Sequence, residues 1–209
     1  MKLEDYKNIH PGSFVAVCGL GESLNYFNPQ GLITIGCNDI GRKFTPTYLL
    51  NVNNKKQYKG DRFQYIEGTQ AKALFTHRPN EQGECKVPIV KFELGKQGGM
   101  EFSDGKFGHY FCTPYMAVLL AAYMGATMIG LIGVDLTDNH FWVKDGRHSL
   151  AGLLPKLDEQ FGKLSDCLFK FGIDLVNLSP ISALTTLRRI NVGYVNAAGA
   201  RGREVPPGL

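Results

Sequence analysis

A chain of 209 residues, 44% hydrophobic and 20% charged, holds enough apolar side chain for one ordinary globular core and excludes a disordered or fibrous polymer. Its formal net charge of +4 is mild, and its basic residues are scattered, so the charge does not indicate nucleic acid as a partner and suits a polyphosphate ligand equally. Five cysteines without a CxxC pair, and a first segment (MKLEDYKNIHPGS) without a charged-then-apolar signal pattern, lead to the expectation of a reducing, cytoplasmic setting.

In chain order, a first strand buried on both faces is predicted at 15–18 (VAVC), followed by Gly19-Leu20-Gly21 and a short helix at 22–27 closed by Asn28-Pro29. Further strands are expected at 32–37 (LITIGC), ending at Asn38-Asp39, and at 48–52 (YLLNV), ending near Asn51. A helix at 61–66, a strand at 73–77, a polar loop at 79–86, an outer strand at 90–94 and a Gly-rich stretch at 95–108 come next. Thr113 as N-cap and Pro114 in the first turn open a helix that runs to about Met124 and stops at Gly125. A strand at 128–134 follows, with Asp135 at its carboxyl end. The segment 111–134 carries no charge, but Gly125, Thr127, Gly130 and Gly133 interrupt it, so a buried helix and strand explain it better than a membrane span. A polar, aromatic loop at 136–149 leads to a long amphipathic helix at 150–171 ended by Gly172, a last parallel strand at 174–178, a short helix at 182–188 and, after Asn191, a loosely ordered tail to 209.

Strands alternating with helices predict a doubly wound α/β sheet occupying 1–190. Ligands bind such sheets outside the carboxyl ends of the strands. The residues expected there are polar: Gly19 to Ser23, Asn38, Asp39, Asn51, Asp135 and Ser179. The first loop is not a dinucleotide fingerprint, because Leu24 stands where G-x-G-x-x-G needs its third glycine. It is not a Walker loop either, because no Gly-Lys-Ser/Thr follows. A phosphate-facing turn and a plain strand–helix turn both remain open. Cys18, Cys37 and Cys112 fall near strand ends and read more readily as small buried hydrophobes than as metal ligands. Phe141 and Trp142 suit either stacking on a ligand or packing at the sheet edge.

Taken together and in order, CGLGESL (18–24), GCND (36–39), YLLN (48–51), TPYMAVLLAAYMGATMIGLIGVDL (113–136), GRHS (146–149) and NLSPIS (177–182) resemble the bacterial sialyltransferases of glycosyltransferase family 42 and the wider family that includes archaeal 6-hydroxymethylpterin pyrophosphokinases. The resemblance implies a single Rossmann-like three-layer α/β/α domain with a mostly parallel sheet. It also implies a nucleotide-sugar donor used without a metal or other cofactor, a CMP-linked donor being one candidate, and a hydroxyl-bearing acceptor. By the same likeness, Gly19, Gly21 and Ser23 would line the donor phosphate and ribose, and Asn38 and Asn51 would hold the nucleotide. Thr113 would lie near the base, and Asp135 matches the acidic end of the central strand. His148 falls where the family has its general base. Departures from the pattern are Leu20 for an Asn, Glu22 for a Pro, Tyr110 for an Arg, and 137–142 without the two tyrosines that support the leaving phosphate. Thr137 heads that segment and joins the donor-binding candidates, while His140, Lys144 and Arg147 are candidates to support the phosphate instead. Sialic acid is therefore not implied as the donor sugar. Two further readings stay open: a nucleotide-binding or sensing protein without transfer activity, and a pyrophosphokinase-like enzyme with Mg²⁺ held by Asp135 and Asp138. A homo-oligomer is compatible with all three.

Overall fold

The computed structural model describes residues 1–103, 105–143 and 150–200. Nine strands and four α-helices are found among them: β1 (Phe14–Cys18), β2 (Ile33–Cys37), β3 (Tyr48–Leu50), α1 (Gln64–Glu67), β4 (Leu74–Thr76), β5 (Ile89–Lys91), β6 (Glu93–Gln97), β7 (Lys106–His109), α2 (Thr113–Tyr123), β8 (Met128–Ile132), α3 (Leu154–Phe169), β9 (Asp174–Asn177) and α4 (Val192–Ala200). Seven strands form one sheet in the order β5-β4-β3-β2-β1-β8-β9, every pair parallel, and β6 and β7 form a separate parallel pair. The result is a single α/β domain of Rossmann-like type.

All five residues of β1 are buried, as the central strand of a parallel sheet covered on both faces requires. The period of two sends Val15 and Val17 into one layer and Phe14, Ala16 and Cys18 into the other. The first layer is filled by α2 and α3. Helix α2 is apolar all round because it is enclosed: it lies against β1, β2 and β8 and also against β7, and Tyr115 to Tyr123 are all buried. Helix α3 is amphipathic and buries Leu157, Phe161, Leu164 and Leu168. Its Phe161 ring meets that of Tyr115 on α2, with centroids 5.8 Å apart. Each large apolar side chain withdrawn from water in this layer contributes about 1.5–3 kcal/mol before entropy is counted. The uncharged segment thus divides into α2 and β8, and among the described residues no helix is long and apolar enough to cross a membrane.

Several elements differ from those expected, each for a local reason. The helix at 22–27 is a 3₁₀ turn, Glu22–Tyr26. Thr113 is the first helical residue and not the N-cap, a position taken by Cys112; the Thr113 hydroxyl donates to Asn38 Oδ1 at 3.2 Å. The strand at 128–134 stops at Ile132, where Gly133 turns the chain with φ +67°. The outer strand at 90–94 is divided between β5, in the main sheet, and β6, outside it. No helix forms at 182–188. There the Thr185 and Thr186 hydroxyls and N–H groups bond Asp158, and the Ser182 hydroxyl donates to Val134 O, which draws the backbone away from helical pairing. Conversely, 192–200 is the helix α4 instead of a loose tail. Asn191 Oδ1 accepts from Gly193 N at 2.8 Å at its start, Val195 is fully buried, and Asn196 bonds Tyr26 O and Asn28 N. Residues 201–209 lie outside the described residues.

Candidate functional site

The chain runs outward from β1 through β2, β3, β4 and β5, then crosses back by α2 to place β8 on the other side of β1. The order of strands therefore reverses between β1 and β8, and loops leaving neighbouring strands to opposite faces open a crevice at such a point. A cavity of about 410 Å³ lies there, walled by the turn after β1, the ends of β2 and β8, the start of α2 and the segment 136–140.

Its floor is built on backbone contact. Gly21 N donates to Gly133 O at 2.7 Å and Gly19 N to Ile132 O at 2.8 Å. A Cβ on Gly19 would stand 2.3 Å from Gly133 O, and one on Gly21 would stand 2.4 Å from Asp135 Oδ2. Both glycines are thus required by the approach of two loops. Beneath them Asp135, nearly fully buried, accepts from Ser23 Oγ at 2.5 Å, Ser23 N at 2.8 Å and Ser179 Oγ at 2.6 Å. Gly133 N donates to Ser23 Oγ at 2.9 Å. This network joins the turns after β1, β8 and β9. It also commits the N–H groups of Gly19, Gly21 and Ser23 within the chain.

The walls present donors. Asn38 has φ +54°, a left-handed conformation that asparagine tolerates better than most residues. Its Oδ1 is turned toward Asn53 Nδ2, the Tyr58 hydroxyl and the Thr113 hydroxyl at 3.2–3.3 Å. Among the described residues Thr137 Oγ1 has no hydrogen-bond partner although it is buried, a costly condition that a ligand oxygen would relieve. Leu136, at φ +55°, aims this segment across the cavity. The segment is tied down by Phe141 N donating to Leu20 O at 2.9 Å and Asn139 Nδ2 donating to Glu22 Oε2 at 3.1 Å. The Glu22 carboxylate is thereby engaged with the segment. Cys37 and Cys112 also line the cavity. Burial raises both thiols, Cys112 to about 12, so neither is a ready nucleophile near neutral pH.

Of the residues proposed from sequence, Gly19, Gly21, Asn38, Thr113, Asp135, Thr137 and His140 meet at this one cavity. Ser23 and Asn51 do not line it. Both are fully buried, Ser23 under Asp135 and Asn51 between Gln82, at 2.7 Å, and the Tyr58 hydroxyl, at 2.6 Å. Lys144, Arg147 and His148 lie outside the described residues. Asn53, Arg62 and Asn139 also line the cavity and were not singled out from sequence. Arg62 lies in DRFQY, which has no motif, and only its pairing with Asp39 marks it. Among the described residues no group of three or more His, Cys, Asp or Glu is placed to hold a metal ion.

No family model and no curated protein sequence matches the chain. Solved structures do. The MAf glycosyltransferase from Magnetospirillum magneticum AMB-1 superposes with a TM-score of 0.57 at 13% identity, over 99% of this chain and 42% of that one, so the chain spans well under half of that protein's length. The sialyltransferase CstII from Campylobacter jejuni, in complex with the substrate analogue cytidine-5'-monophosphate, gives 0.53 at 10% identity over 86% of this chain and 85% of its own. The sialyltransferase CST-II in complex with a trisaccharide acceptor and CMP gives 0.53 at 15% identity, over 85% and 86%. At such identities the likeness is one of fold: the chain has a sialyltransferase-like glycosyltransferase fold.

Proposed function

We propose that the protein is a nucleotide-sugar-dependent glycosyltransferase that passes a sugar to a hydroxyl acceptor. The observation that carries this reading is the cavity at the β1/β8 switch point. Among the described residues it is lined by hydroxyl, amide and arginine side chains beside apolar ones, while the one carboxylate residue of that lining, Asp135, is occupied by the chain's own donors. Such a wall favours an anionic, oxygen-rich ligand over a cation. The fold is shared with sialyltransferases solved with CMP, which makes a nucleoside phosphate the first ligand to try. In the transfer, the acceptor hydroxyl loses its proton to an imidazole as its oxygen bonds the sugar carbon, and the bond from that carbon to phosphate breaks with its electron pair leaving on the phosphate. His148 is the base by resemblance, and His140, which lines the cavity, is the second candidate.

The test is a melting experiment with CMP, UDP, GDP and ATP, with and without Mg²⁺, followed by transfer assays with the nucleotide-sugars of whichever base stabilises. A ligand at a hundred times its Kd should add about 2.7 kcal/mol to stability. His148→Ala should lower turnover by about 10²–10⁴ with nucleotide affinity unchanged. Unchanged turnover would transfer the role to His140. The absence of any nucleotide effect would remove the reading. A binding or sensing protein is favoured by one observation, the committed N–H groups of Gly19, Gly21 and Ser23. That alternative is the outcome if nucleotide binds and no acceptor is glycosylated.

A further inference from the structure

Arg62 is the one arginine or lysine among the described residues of the cavity wall. Asp39 holds it from behind: Arg62 Nε donates to Asp39 Oδ2 at 2.8 Å and Nη2 to Oδ1 at 2.7 Å. The Asp39 carboxylate is fully buried and Asp39 does not line the cavity, whereas Arg62 does. The ion pair is neutral as a whole, and of its two partners the basic one is the residue at the cavity wall. Aromatic faces fix the plane of its guanidinium. Arg62 Cζ lies 5.6 Å from the Tyr58 ring centroid and 5.3 Å from that of Trp142. Arg42 sits over the same indole at 5.0 Å and the His140 ring lies 4.6 Å from it. A guanidinium whose fork is paired and whose faces are packed has already lost its rotamer freedom, so contact with an anion orders little more.

We infer that Arg62 receives the phosphate of the nucleotide and donates to the phosphate oxygen that takes the electron pair as the sugar departs. The inference rests on the nucleotide reading above for the identity of the ligand, but its anion chemistry can be measured separately. Asp39 is then a positioning residue, and Trp142, the only tryptophan of the chain, is the natural reporter because it packs against the same guanidinium.

Calorimetric titration of the full chain tests this, with CMP, UMP, GMP and AMP each compared with its own nucleoside, and with pyrophosphate alone. Removing Arg62 by itself would leave Asp39 buried and unpaired, so the main variant is the double substitution R62Q/D39N, with its fold checked by circular dichroism. R62K, which keeps the ion pair and loses the fork, is measured alongside and serves alone if the double variant does not fold. In the wild-type chain the monophosphate should bind more tightly than its nucleoside, and pyrophosphate should change Trp142 fluorescence. In R62Q/D39N the preference for phosphate should shrink by about ten- to a hundredfold, the range of a charge-assisted hydrogen bond, while nucleoside affinity stays the same. R62K should lose about tenfold by the same measure. An undiminished phosphate preference in these variants overturns the role of Arg62 and leaves the nucleotide reading standing. Binding of pyrophosphate that depends on Arg62, without binding of any nucleotide, upholds the anion site and removes the nucleotide reading. Binding of neither ligand by the wild-type chain overturns both.

Discussion

Asp135 shows how one residue type admits two readings until its partners are known. At the end of a central strand a carboxylate suits a ribose hydroxyl, yet here both oxygens accept from Ser23 and Ser179 under the cavity floor. Asp135→Asn would keep the shape and put an NH₂ donor in place of one accepting oxygen: at Oδ2 it would face the Ser23 N–H, at Oδ1 both serine hydroxyls would have to turn round to accept, and in either case the charge-assisted bonds are lost. The expected loss is about 1–3 kcal/mol of unfolding free energy, measured by urea denaturation. A variant of unchanged stability with weakened nucleotide binding would instead make the carboxylate a ligand contact. Ser23 belongs to the same network, so Ser23→Ala should fall in a similar range and add less than independently to Asp135→Asn.

Two elements frame the cavity and differ in how they are held. Helix α2 is enclosed by β1, β2, β7 and β8, and Leu119 in its middle is fully buried. Leu119→Ala should cost about 2–5 kcal/mol, whereas Lys163→Ala on the exposed face of α3 should stay within about 0.5 kcal/mol. Segment 136–143 is held by individual ties, among them the Leu20 and Glu22 bonds, Asn25 Nδ2 donating to Phe141 O at 3.0 Å, and Trp142 against two guanidinium groups. Glu22→Ala removes one tie without opening the core. It is expected to raise amide hydrogen exchange across 137–143 several-fold with a melting temperature close to that of the parent chain, because local opening and global unfolding draw on different contacts. Exchange equal to the parent's would mean that the remaining ties suffice.

At the scale of the molecule, the strand order sets where the cavity opens. Nucleotide should stabilise the whole chain, since the cavity joins the turns after β1, β2 and β8, and EDTA should leave that stabilisation unchanged. A strict requirement for Mg²⁺ would move the assignment to a pyrophosphokinase-like reaction with Asp135 and Asp138 at the ion. Asp135 in its present geometry would then have to exchange its serine donors for the metal.

The sequence by itself determined the α/β class, the buried central strands, the switch from uncharged helix to strand at Gly125, and the polar residues at strand ends. These follow from periodicity and from glycine and proline signals that act within a few residues. Asn38, Thr113 and Thr137 were candidates from the sequence and its family likeness and line the cavity, yet the sequence could not separate them from Ser23 and Asn51, which are buried away from it. That distinction, the pairing of Asp39 with Arg62, the three-loop network on Asp135 and the docking of α4 were decided only by the tertiary structure. In each case the partners are far apart along the chain, and which of them meet depends on the order in which parallel strands pair.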